Sequence, residues 1–301
     1  MTDQAIAQPA IGLQEVAERR GVKRPRLHAF LRHRLALAGA CVILVLLFIA
    51  IFAPLVATHD PNKIDLFATS QAPSEAHWLG TDDIGRDVYS RVVYGTRVSL
   101  SVGLVSVTIY VLIGTILGAV SGYFGGWIDS TIQRFTDAVM CFPSLIIIIA
   151  AVAIIGPSIY NVMIVIGLLT WPGICRLVRG QFLSLREREF VEAARAMGAH
   201  PSRIIFRHLL PNAIAPITVA ATFGVAAAIL TEAGLSFLGL GVQPPTASWG
   251  NMINTAQSAA VLQQMPWLWI PAGVMIALAV LSINFIGDGL RDALDPRSTH
   301  R

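Results

Sequence analysis

Lysine is almost missing from this chain. Of 301 residues only Lys23 and Lys63 are lysines, preceded by Val22 and Asn62. A phosphate-cradling loop must end in Gly-Lys-Ser/Thr, so the chain has no P-loop and is not itself an ATPase. Charge of either sign is scarce. The 22 basic and 18 acidic residues make 13% of the length, against about 25% in ordinary soluble domains. Cysteine is limited to Cys41, Cys141 and Cys175. Their number is odd, their spacing fits no metal motif, and each lies in an apolar stretch, so they read as small buried residues and say nothing about redox compartment. The seven histidines, His28, His33, His59, His77, His200, His208 and His300, all fall outside the long apolar runs. A serine hydrolase needs a base beside its nucleophile, so this placement argues against an intramembrane Ser-His site. The histidines are also too dispersed in sequence to argue for a metal. What the chain does have is 54% apolar residues and a mean hydropathy of +0.65. These values exclude a disordered chain, a fibrous protein and an ordinary cytosolic enzyme, and they fit a polytopic membrane protein.

Spanning a hydrocarbon layer of about 30 Å takes roughly 20 apolar residues in a helix. Residues 35–57 carry no charge and hold 14 Leu, Ile, Val and Phe, enough to favour insertion by several kcal/mol. Their length, and the 34 residues before them, point to a retained helix rather than a cleaved leader. Residues 98–123 are also uncharged. Residues 138–175 are long enough for two spans divided at Gly156-Pro157-Ser158, where proline removes a backbone donor. Between Asn212 and Gly287 the only charge is Glu232. There 213–241 and 267–287 are apolar blocks separated by turn-prone polar residues. The expectation is an all-α membrane protein of six transmembrane helices: a basic arm at 1–34, a transmembrane domain at 35–290 and a tail at 291–301.

Orientation follows from Lys and Arg in the connections. With six spans, the termini and the 124–134 and 176–211 loops share one side, which holds 18 basic residues against four on the other. The N- and C-termini and the 176–211 loop are therefore expected in the cytoplasm. A net charge of +4 so distributed points to anionic lipid and not to nucleic acid.

Most of the polar chemistry is concentrated at 176–211. Phe190, Val191, Ala194 and Met197 can share a helical face, and Arg186/Glu189 and Arg188/Glu192 are spaced as supporting pairs. Gly198 ends that helix, Pro201 opens a second, and Pro211 closes the unit before the next span. The loop is therefore expected to fold as helix, glycine turn, helix. Small residues at Ala193, Ala194, Ala196 and Gly198 would let a protein approach closely, with Glu192 as an anionic handle. An amphipathic helix on lipid headgroups is the competing reading.

Glu192-Ala193-Ala194, then Gly198, then Leu210-Pro211 resembles the E-A-A loop of ABC importer permeases, with His208 standing where the general pattern has isoleucine. Gly80-Thr81-Asp82, Gly85-Arg86-Asp87, Ser90-Arg91, Leu235-Ser236-Phe237-Leu238-Gly239, Trp249-Gly250 and Asp295-Pro296-Arg297 narrow the likeness. They resemble the second, C-type permease of dipeptide, oligopeptide and nickel importers, over roughly residues 30–297. The resemblance implies a type I ABC importer permease fold in the bacterial plasma membrane. It also implies a homologous B-type permease as partner, two cytoplasmic ATPase subunits that bind ATP and magnesium, and an extracytoplasmic binding protein. The ATPase-coupling residues would be Glu192, Ala193, Ala194, Gly198, Leu210 and Pro211, and the cargo a di- or oligopeptide, nickel or another small solute.

Glu232 is costly inside a membrane, about 2.5–3.5 kcal/mol if ionised at the centre. Three roles stay open for it: an interhelical lock, a pathway residue, or the proton-coupling carboxylate of a secondary transporter. Asp137 and Asp288 fall at cytoplasmic span ends, where salt bridges or hydration can satisfy them.

Overall fold

A computed structural model describes residues 33–294. Most of the expected basic arm, with His28, and the tail from Asp295, with Pro296, Arg297 and His300, lie outside the described residues. Among the described residues there is no β-strand, only an isolated bridge between Thr81 and Asp87. The helices are α1 (Arg34–Ile51), α2 (Ala53–Val56), α3 (Val88–Phe124), α4 (Gly126–Met140), α5 (Ser144–Ile155), α6 (Ile159–Arg186), α7 (Glu189–Ala196), α8 (Pro201–Ile204), α9 (Leu210–Phe237), α10 (Trp249–Asn254), α11 (Ala259–Gln264) and α12 (Ile270–Leu294).

Among the described residues five helices are long and apolar enough to cross a membrane, and a sixth crossing exists if α4 and α5 together form one bent span. That bend is the main departure from expectation. The sequence reading places one whole span between residue 138 and the Gly156 break. The chain instead breaks at Cys141–Pro143 and turns by 78°, because Pro143 has no N–H to continue the ladder. The 12 residues of α5 rise only about 18 Å, too short to cross alone. The Gly156-Pro157-Ser158 break does separate α5 from α6.

Helix α3 starts ten residues before the apolar run. Asp87 caps it by accepting from the Ser90 N–H at 2.8 Å, which satisfies one of the orphan donors of the first turn. His33 caps α1 in the same manner, Nδ1 accepting from the Ala36 N–H at 3.0 Å. Much of α1 (Leu44, Val45, Phe48 and Ile51) is exposed apolar surface, as expected of a helix whose outer face meets lipid.

The interior divides into two apolar clusters. One joins α3, α6, α7 and α9 through Val107, Ile166, Trp171, Val178, Phe182 and Val191. The other joins α1, α3, α9, α10 and α12 through Leu46, Val92, Ile229, Trp249 and Ile276. The most extensive helix pair is α3 against α6, and its seam is a row of glycines four apart. A Cβ on Gly114 would lie 2.7 Å from Ile174 Cβ, one on Gly118 2.5 Å from the Cys175 carbonyl oxygen, and one on Gly122 2.6 Å from Phe182 Cβ. Helices in lipid have no hydrophobic drive to associate and depend on such close backbone approach.

Candidate functional site

The 176–211 stretch forms a knob, with changes at both ends. Its first residues are not loop at all, since α6 runs through Arg186. Helix α7 then spans Glu189–Ala196, Gly198 turns the chain at φ +75°, and Pro201 stands at the start of α8. Pro211 does not close the unit. One π-helical turn, Ile205–Leu209, carries α8 directly into α9. Pro211 occupies the first turn of α9, where the missing N–H costs nothing. The knob is thus continuous with a membrane-spanning helix.

The expected apolar face of α7 splits. Val191 and Ala194 are buried with Phe182, Ile204, Leu209 and Ala213, while Phe190 and Met197 are exposed, as is Phe206 beyond the turn. Ala194 therefore supports the knob from beneath and does not face outward, whereas Glu192, Ala193 and Gly198 are exposed. Leu210 is half-buried and Pro211 exposed. Arg186 does not pair with Glu189. Its Nε meets the Glu187 carboxylate at 2.9 Å and its Nη1 donates to the Gly122 carbonyl at 3.3 Å. The guanidinium of Arg195 lies over the Tyr123 ring at 5.8 Å, so α7 leans on the end of α3. His208 sits beside the Phe190 ring, centroids 6.5 Å apart.

Behind the knob, α4 is tied to α6. Arg179 donates from Nε and Nη2 to the two oxygens of Asp129, both at 2.6 Å. Ser121 of α3 donates to the same carboxylate at 2.5 Å. Arg176 reaches Asp137 at 2.5 Å, the salt bridge expected for a span-end acid.

Glu232 is fully buried in α9. Its Oε1 accepts from the Ser236 hydroxyl at 2.7 Å and its Oε2 from the Ser99 hydroxyl of α3 at 3.3 Å. The Trp249 backbone N–H of α10 donates to that same serine oxygen at 3.3 Å, and the Trp249 ring N–H to the Val92 carbonyl at 3.3 Å. Of the three roles open in sequence, this geometry suits an interhelical lock.

Two concavities flank these elements. A mostly apolar groove of about 440 Å³ lies between α3, α6 and α9, with Tyr110, Thr170 and Thr231 as its polar members. A more polar one of about 330 Å³ is lined by Asp82, Asp83, Arg86, Gln243 and Asn251. Inside it Arg86 pairs with Asp82 at 2.7 Å, and Arg91 approaches the same carboxylate at 3.7 Å.

Sequence reasoning missed three features. The Gly114/Gly118/Gly122 row was visible as small residues four apart. Ser99 carried no signal of its own within the uncharged run 98–123. The convergence of His59, His77 and Asp87 depends on how the 57–87 loop folds, which no local pattern encodes. Burial works to raise the Asp87 carboxyl, but hydrogen bonds from Ser90 and His77 outweigh it and hold the group below the usual aspartate value.

Two family models match the chain. One, described as the binding-protein-dependent transport system inner membrane component, covers residues 114–300. The other, described as the N-terminal TM domain of oligopeptide transport permease C, covers residues 26–73. A Brucella suis protein named as a peptide permease is 51% identical over 269 residues, 89% of each chain. The dipeptide transport system permease of Alkalihalophilus pseudofirmus is 48% identical over 266 residues, 88% of this chain and 87% of its own. The glutathione transport system permease of Pectobacterium atrosepticum is 43% identical over 269 residues, 89% of each chain. Among solved structures, an inward-facing MetNI methionine ABC transporter matches with a TM-score of 0.55 at 21% identity, over 68% of this chain and 97% of that one. That likeness is one of fold.

Proposed function

This chain belongs to the family of inner-membrane components of binding-protein-dependent transport systems, and from that premise we propose a division of labour in which it lines half of a peptide path and takes its work from outside itself. It is a membrane permease subunit of an ATP-driven importer. The proton-coupled carrier weighed for Glu232 is overturned by this membership.

The observation that carries the mechanism is the knob. Phe190, Met197 and Phe206 are exposed apolar side chains on a short helical unit whose underside, Val191, Ala194 and Ile204, is buried. Exposed apolar surface on a rigid, charged element suits a protein groove. The groove is that of a cytoplasmic ATPase subunit, one of two, and Glu192 and Gly198 stand at the contact. Leu210 and Pro211 pass displacement into α9 because the π turn leaves no flexible joint between knob and span. ATP and magnesium bind in those partner subunits.

Closure of the ATPases on nucleotide draws the knobs of this chain and a homologous B-type permease together, and opening resets them. Each state of the helices is favoured by a different nucleotide state, as alternating access requires. The groove between α3, α6 and α9, mostly apolar with the hydroxyls of Tyr110, Thr170 and Thr231 as its polar members, is the path face. An extracytoplasmic binding protein delivers cargo to the polar concavity around Asp82 and Asn251. The termini are cytoplasmic. Di- or oligopeptides are the cargo, the class named in the chain's relatives.

The experiment is uptake by the assembled transporter in proteoliposomes containing ATP, with a radiolabelled dipeptide, a tetrapeptide and Ni²⁺ as separate cargoes. The Glu192→Arg and Gly198→Leu variants should insert normally, lose peptide uptake and uncouple ATP hydrolysis from the binding protein. Wild-type uptake by either variant would overturn the coupling role, and uptake of Ni²⁺ alone would overturn the peptide assignment.

A further inference from the structure

His59 and His77 are separated by 18 positions in the chain, yet the loop leading to α3 folds so that both imidazoles face one carboxylate. Nδ1 of His77 lies 2.9 Å and Nδ1 of His59 3.8 Å from Oδ1 of Asp87. The three donor atoms lie within 4.8 Å of one another, and the ring centroids are 4.8 Å apart. With metal–donor bonds of about 2.0–2.2 Å, tetrahedral donors sit about 3.4 Å from each other. The two measured edges bracket that value, and the third is no longer than 4.8 Å.

The remainder of the cluster is arranged as a metal's outer shell would be. Oδ2 of Asp87 is occupied by the Ser90 N–H at 2.8 Å, the Ser90 hydroxyl at 2.7 Å and the Thr58 hydroxyl at 3.4 Å. That fixes the carboxylate and leaves Oδ1 turned to the imidazoles, the orientation that hydrogen bonds to a ligating group normally enforce. The His59 backbone N–H donates to Ser90 at 3.0 Å, so the loop is already in register with α3. The Asp87 side chain is 2% exposed, His77 15% and His59 40%. An ion would enter past His59 and finish against a buried anion.

We propose that His59, His77 and Asp87 bind a divalent transition-metal ion of the zinc class, which clamps the 57–87 loop to the start of α3, with solvent water in the fourth position. Two imidazoles and one carboxylate select Zn²⁺ and its neighbours over Mg²⁺ and Ca²⁺, which take oxygen ligands. The site is remote from the knob and independent of which cargo is carried, so its test does not depend on transport.

The full chain, assembled with its partner subunits and purified in nanodiscs without a histidine tag, is stripped with chelator and titrated with Co²⁺. Wild type should bind one Co²⁺ per chain with the visible absorption of a four-coordinate site, lose it to one equivalent of Zn²⁺, and melt at a higher temperature with Zn²⁺. His59→Ala, at the exposed position, should fold normally, lose the absorption band and bind roughly tenfold or more weakly. His77→Ala should do the same. An equal stoichiometry and affinity in wild type and His59→Ala, or no ion retained by wild type, would overturn the site.

Discussion

The hydroxyl of Ser99 joins three elements: it donates to Glu232 of α9 at 3.3 Å and accepts the backbone N–H of Trp249 at the start of α10, also at 3.3 Å. A charged residue in a membrane helix is retained only where it is fully surrounded by partners. Here the partners are serines from the helix itself and from its neighbour. The buried carboxyl thereby links α9 to α3 through Ser99, and α9 is the helix that continues into the knob.

Replacing Glu232 separates the lock from proton chemistry. Glu232→Gln keeps one acceptor oxygen for one of the two serines and turns an N–H donor toward the hydroxyl oxygen of the other, so it should retain assembly and most uptake. Glu232→Ala strands two buried hydroxyls, at a cost of about 1–3 kcal/mol, and should lower the melting temperature of the purified complex while reducing uptake. A glutamine variant as damaged as the alanine variant, in thermal melts and uptake together, would contradict the lock.

The expected membrane helices were legible because twenty uncharged residues in lipid admit few structures. The bend at Cys141–Pro143 was not, although the proline was in plain view. A proline inside an apolar run can kink, end or be tolerated by a helix, and neighbouring helices decide which. Pro172 and Pro216 lie inside α6 and α9, which continue through them. The Gly198 turn and the Pro201 start were legible from local chemistry alone. The split of α7 into buried Val191 and exposed Phe190 was not, because consecutive residues share a broad apolar arc and only the packing of Phe182 and Leu209 chooses between them.

The glycine seam gives a steric prediction with its own control. Gly118→Ala places a methyl 2.5 Å from the Cys175 carbonyl oxygen, and the backbone cannot yield as a flexible side chain would. Overpacking of this kind costs about 1–3 kcal/mol. Gly180→Ala on α6, with no atom within 4 Å of the added carbon, should leave the complex as stable or raise its melting point through helix propensity. Thermal melts of the two variants in one detergent read the difference.

Asp129 and Arg179 offer a coupling measurement. Their two-pronged pair is partly shielded, with side chains 16% and 32% exposed. Removing either partner should therefore cost more than a surface pair yet less than a fully buried one, about 1–3 kcal/mol. Asp129→Asn should loosen α4 from α6, while the double change with Arg179→Gln should cost less than the sum of the two singles. Additive losses in a double-mutant cycle of melting free energies would mean that the contact contributes no coupling.

The knob makes opposite demands on its two faces, and substitution can tell them apart. Val191 is fully buried, so Val191→Ala removes two methyls from a packed interior and should destabilise the isolated chain by about 1–2 kcal/mol. Met197 and Phe206 are 81% and 69% exposed. Truncating them to alanine removes no internal contact of comparable size, and the chain's own stability should stay within about 0.5 kcal/mol of wild type. If the exposed pair fills a groove on an ATPase subunit, the loss appears only in the assembly. Copurified ATPase should fall, and hydrolysis should cease to respond to the binding protein, because anchors at the centre of an interface carry most of its energy. Full retention of the ATPase by the Met197→Ala/Phe206→Ala double variant would place the docking surface elsewhere, even with Val191→Ala behaving as expected.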